Sequence, residues 1–167
     1  MNLTTLKLIN VGNLLILLTS IVSILIGQLF TCKLNYICKL VGYSLQIVFG
    51  LLMIFCTVLK SMGIYSFGLI FQHFSIFVLL IINLFMLQII HSNKKKIIHG
   101  KTNIYFDFYN KLYDYSLIGF SFYQLYHLAL LQNNNNVVRT IFDKVISFTF
   151  TAGCVVFFYF SYYYAKL

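Results

Sequence analysis

Proline, tryptophan and glutamate are absent from this chain of 167 residues, and the only carboxylates are Asp107, Asp114 and Asp143. Charged residues of both signs make up 9% of the sequence. Soluble domains carry about a quarter, so the composition excludes one. The cysteines, Cys32, Cys38, Cys56 and Cys154, lack the C-x-x-C spacing of a metal site. A G-x-S-x-G nucleophile turn and a phosphate-cradling glycine loop are also missing. A proton pathway needs titratable groups strung across a membrane, and the pattern offers none at mid-depth.

Apolar residues fill that space. They form 60% of the chain, with 18 Phe and 13 Tyr, and the mean hydropathy is +0.88. Phe, Tyr, Ile, Leu, Asn and Lys are the residues of AT-rich codons, a skew that an organelle genome, a ciliate or another AT-rich lineage would produce. Runs of about 20 apolar residues suffice to cross a bilayer as helices. Five such spans can be drawn: Leu8 to Phe30, Leu40 to Leu59, Ile64 to Ile90, Leu112 to Leu131, and Val137 to Tyr164. The fourth is the most polar, holding Asp114, Gln124 and His127; if it lies flat, four spans remain. Strands would alternate polar and apolar residues, and these runs do not. The expected fold is therefore all-α, a polytopic helical bundle forming a single transmembrane domain over 1–167. The N-terminal run lacks a cleavage motif or a transit-peptide pattern and is expected to insert unprocessed.

The formal charge of +9 falls mostly in gaps between spans, where basic residues set topology; no nucleic-acid partner is expected. Lys33, Lys39, Lys94, Lys95, Lys96, Lys101, Lys111 and Lys166 fall on one side. Lys7, Lys60, Arg139 and Lys144 fall on the other. The positive-inside rule puts the 91–111 loop and the C terminus on the matrix or cytoplasmic side and the N terminus opposite. In that basic and aromatic loop, Lys94, Lys95 and Lys96 are natural neighbours of anionic lipid. The 133–136 asparagine run reads as a loop tip, and Arg139 with Asp143 as a local i, i+4 ion pair. Cys32 and Cys38 could join only in an oxidising compartment; Cys56 and Cys154 read as small buried hydrophobes. The glycines within the spans are expected to allow close helix packing.

Intramembrane histidine marks a possible function. His73 lies nine residues into the third span and His127 four residues before the end of the fourth. As a pair of axial ligands they would hold haem b, although their depths differ by roughly 5–8 Å. The competing reading is that His73 and Asn83 are interhelical hydrogen-bonding groups, serving contacts between subunits.

Residues 75–87, SIFVLLIINLFML, resemble the third helix of chain 6 of the proton-pumping NADH–quinone oxidoreductase, complex I. The preceding FGLLMIF, 49–55, is similar to the Gly-Leu-Leu run of that family's second helix. The family's Tyr-Val-Gly-Ala stretch would correspond to Gln72, His73, Phe74 and Ser75, with Phe74 replacing its glycine. The resemblance implies a small, non-catalytic, organelle-encoded subunit of the respiratory chain in the mitochondrial inner membrane. Such a subunit would have a packing or assembly role beside other membrane subunits of an electron-transport complex, and no cofactor or metal of its own. Two other readings stay open: a haem- or quinone-binding anchor of succinate dehydrogenase type, and a four-span membrane protein of the secretory pathway.

Overall fold

A computed structural model describes residues 3–30, 33–60, 67–133 and 141–167, and side chains over most of that range. Every regular element there is a helix: α1 (Leu3–Leu29), α2 (Lys33–Lys60), α3 (Phe67–Ser92), α4 (Lys94–Ile98), α5 (Ile104–Asn133) and α6 (Ile141–Ala165). Without proline, nothing in these long runs removes a backbone donor and kinks a helix. α1, α2, α3 and α6 each contain a stretch long and apolar enough to cross a membrane, which is compatible with a membrane protein. α5, at 30 residues, has the length but not the hydropathy.

The five long helices close into a ring. Backbone neighbours run α1, α2, α3, α6, α5 and back to α1. Among the described residues, α5 meets α2 and α3 only through side chains reaching across the middle. One end of the ring collects the end of α1, the start of α2, the 92–104 connection and the C-terminal end of α6. There, Asn35 donates to the Gly27 carbonyl at 2.7 Å, and Tyr105 and Tyr109 stack on Tyr164 at 5.1 and 5.5 Å.

The burial pattern departs from a soluble protein's, in which polar residues are mostly exposed. Leu15, Leu51, Phe77 and Phe148 are each more than half exposed, while Asn13, Gln46, Asn83, Asn110, Asp114 and Gln124 are 5% exposed or less. Polar groups thus share the inside with apolar ones such as Leu17, Ile24, Met86 and Leu117, and the outer face is rich in large apolar residues.

Several boundaries differ from the sequence expectation. α2 begins at Lys33 rather than Leu40, so Asn35 and Lys39 are helical. Lys39 is buried, and the basic side loses one of its eight expected loop charges. α5 begins at Ile104 rather than Leu112. The 91–111 connection therefore contains the end of α3, all of α4 and the first two turns of α5. Asn103 caps α5, its Oδ1 accepting from the Tyr105 amide at 2.8 Å. Asp107 sits favourably in the first turn. Cys38 and Cys154 are free thiols. The side chains of Cys32, Cys56, Arg139 and Asp143 lie outside the described residues, as does most of the asparagine run.

α1 and α2 pack through small residues. Ser20 Oγ donates to the Gly42 carbonyl at 3.0 Å, and Ser23 Oγ to the Cys38 carbonyl at 2.9 Å. Close approach of this kind is what small residues permit. A Cβ on Gly42 would stand 2.5 Å from Ile24 Cγ1, whereas one on Gly12 would meet nothing within 4 Å among the described residues. Gly42→Ala should therefore destabilise the bundle by about 1–3 kcal/mol through overpacking. Gly12→Ala should be neutral or stabilising by up to about 1 kcal/mol through helix propensity. Unfolding of both variants in detergent checks the contrast; equal effects would contradict it.

Candidate functional site

His73 lies in α3 and His127 in α5, but both side chains lie outside the described residues. Asn83 is 2% exposed, and its Oδ1 accepts from the Tyr113 hydroxyl at 2.6 Å. It bonds α3 to α5 within the chain, so the expectation of an inter-subunit role for Asn83 is corrected: its acceptor already serves its own bundle.

Among the described residues, polar side chains concentrate where α1, α2 and α5 face one another; Lys39 and Asn110 come from stretches expected to be loops and the rest from within the expected spans. On α2, Lys39, Tyr43 and Gln46 follow at i, i+4 and i+7 and share one face. On α5, Asn110, Asp114 and Ser121 recur at i, i+4 and i+11, again on one face. These two stripes meet across the ring. Lys39 Nζ donates to Asn110 Oδ1 and lies 3.9 Å from Asp114 Oδ2. The Tyr43 hydroxyl donates to Asp114 Oδ1, and Gln28 Nε2, from α1, donates to Asp114 Oδ2. Asn110 Nδ2 reaches back to the Tyr43 oxygen at 3.5 Å. Further along, Gln46 Nε2 donates to Ser121 Oγ at 2.7 Å, and that hydroxyl donates to the Leu117 carbonyl at 2.7 Å.

Lys39 is 7% exposed, and Asp114, Asn110 and Tyr43 are fully buried. At 1.5 Å per residue, Lys39 lies about 9 Å from the start of α2 and Asp114 about 15 Å from the start of α5. An ionisable pair therefore occupies the interior of the bundle. A buried charge is tolerated when it is paired and hydrogen-bonded, and both conditions hold here. Tyr113, next to Asp114, meets the Tyr43 ring edge-on at 5.8 Å and 74° and holds α3 through Asn83. One carboxylate thus links α1, α2 and α5, and an adjoining tyrosine extends the link to α3.

Chemically, the groups engage one another. Each oxygen of Asp114 already accepts a hydrogen bond, and Lys39 has two acceptors nearby. Among the described residues, no group of three or more His, Cys, Asp or Glu is arranged to hold a metal ion. The geometry fits a cross-brace between helices. Comparison with known protein families, curated proteins and solved structures yields no match for this chain.

Removing the Tyr43 hydroxyl deprives Asp114 of one donor while leaving the ring in place. Tyr43→Phe should cost about 1.5–3 kcal/mol, the range for hydrogen bonds to charged groups. Tyr115→Phe, on the exposed side of α5, should stay within about 0.5 kcal/mol. Reversible unfolding of the two variants in detergent separates them, and equal effects would remove Asp114 from its bracing role.

Proposed function

We propose that the chain is a non-catalytic, five-span packing subunit of a larger membrane assembly. The observation that carries this reading is the engagement of Asp114: among the described residues it is the one buried carboxylate, and both of its oxygens are held by groups from neighbouring helices. Meanwhile the outer face, rich in apolar residues, also presents the tyrosines Tyr115, Tyr159 and Tyr163, each more than half exposed. Tyrosine rings suit a boundary where one end is apolar and the other finds a hydrogen-bond partner. The resemblance of residues 75–87 to a complex I helix makes the respiratory chain of the mitochondrial inner membrane the assembly to test first.

The position of α5 in the ring supports a count of five spans. It lies between α1 and α6 and shields its polar stripe from lipid, so its low hydropathy is no obstacle to crossing. The 91–111 connection and the C terminus then share the basic side, with the N terminus opposite. Single cysteines introduced near residues 95 and 166 should label from the same side of the membrane. Labelling from opposite sides would reduce the spans to four.

Tyr123, 9% exposed, faces the interior and is a poor candidate for docking. The double substitution Tyr115→Phe and Tyr159→Phe tests the outward face. Interhelical hydrogen bonds in lipid average about 0.6 kcal/mol, so losing two should weaken retention by co-purifying subunits roughly fivefold to tenfold. Insertion should be unchanged. Retention equal to the unsubstituted chain would remove hydroxyl-mediated docking.

The haem-anchor alternative has its own readout. A packing subunit purifies without a Soret band. A band lost on His73→Ala or His127→Ala would replace the packing reading with haem binding.

A further inference from the structure

A second cluster of charge lies at the basic end of the bundle, away from Asp114. The backbone brings two of its lysines together. α4 ends in a turn in which Gly100 adopts φ +66°, the left-handed conformation that glycine accepts at little cost. The Gly100 amide donates to the Ile97 carbonyl at 3.2 Å, and the Lys101 amide to the Lys96 carbonyl at 2.8 Å. These paired bonds form a Schellman stop, and they fold Lys101 back onto the last turn of α4, beside Lys96. Both lysines line a half-open cavity of about 160 Å³ with Asn93, Thr102, Asn103 and Tyr164. Such a volume holds several waters and so accommodates a phosphate group.

The surrounding charges do not cancel the lysines. Asp107 is exposed, accepts the Thr102 hydroxyl at 2.7 and 2.9 Å, and does not line the cavity. A carboxylate at Leu167, where that is the last residue, is outnumbered two to one. Lys94 is engaged over the Tyr36 ring at 5.5 Å and Lys166 over the Tyr162 ring at 4.1 Å, so neither belongs to this group.

We propose that the cavity formed by Lys96 and Lys101, between α4, the start of α5 and the end of α6, binds a phosphate-bearing anion: an anionic phospholipid headgroup or free phosphate. The assignment rests on the membrane reading for the first source only. It differs from diffuse attraction of a polybasic surface to anionic lipid because it singles out two of the lysines at this end.

The test uses the full chain in nanodiscs of phosphatidylcholine doped with phosphatidylglycerol, with tightly held lipid read by native mass spectrometry. Phosphatidylglycerol should be retained in preference to phosphatidylcholine. Lys96→Gln with Lys101→Gln should weaken that preference roughly thirtyfold, on the scale of two lysine–headgroup contacts. Lys96→Arg with Lys101→Arg should preserve it and shows that the substituted bundle still folds. Lys94→Gln with Lys95→Gln should have little effect. Millimolar inorganic phosphate that displaces the lipid supports free phosphate as the natural occupant, and failure to displace it supports the lipid. Equal loss in the two glutamine pairs, or no preference in the original chain, would overturn the site. Release of the chain from membranes by alkaline carbonate would overturn the membrane reading instead. In that case the site stands or falls on whether the chain binds inorganic phosphate through Lys96 and Lys101.

Discussion

Asp114 must be matched before five helices can close around it. An isolated ionised carboxylate taken out of water into an apolar medium costs tens of kcal/mol by Born solvation. Here its three partners come from two other helices: Tyr43 and Lys39 from α2, and Gln28 from α1. None of them is local in sequence, so the interaction forms only when α1, α2 and α5 have all arrived. Buried ion pairs add little net stability compared with apolar packing, although breaking one is expensive. Asp114 therefore acts mainly on specificity: alternative helix arrangements that leave it unpartnered are heavily penalised.

The same constraint explains why α5 is less apolar than its neighbours. Asn110, Asp114, Ser121 and Gln124 lie within one narrow stripe that faces inward, while Phe108, Tyr115 and Phe122 face outward. Averaging over the helix mixes the two faces and gives a hydropathy too low for a crossing segment. In a proposed membrane setting the outward face is what lipid or a neighbouring subunit meets, and the polar stripe is covered by α1 and α2. Gly42 and the serines of α1 serve that covering by letting α1 and α2 approach closely, which brings Gln28 and Tyr43 to the same carboxylate.

The helical class and the long runs of α1, α3 and α6 were legible in the sequence because unbroken apolar stretches have few other outcomes. The starts of α2 and α5 were not. Asn35, Lys39, Asp107 and Asn110 are polar and near a run's edge, which looks the same whether a residue is in a loop or inside a bundle. A signal did exist: Lys39, Tyr43 and Gln46 on one helical face, and Asn110, Asp114 and Ser121 on another, are spacings a loop has no reason to keep. Pairing those faces across about 70 residues of chain needed the fold. Asn83 was recognised as a hydrogen-bonding group, but its partner Tyr113 was not.

The most direct test of the brace is a double-mutant cycle on its charges, read as unfolding free energy in detergent. Lys39→Met alone leaves a buried carboxylate without its cation and should cost about 3–5 kcal/mol. Adding Asp114→Asn removes the orphaned charge and keeps an acceptor for Tyr43. The double variant should then be about 2–3 kcal/mol more stable than Lys39→Met alone, so that its penalty falls well below the sum of the two single penalties. If the two penalties simply add, Lys39 and Asp114 act independently, and the buried pair is not what closes the ring.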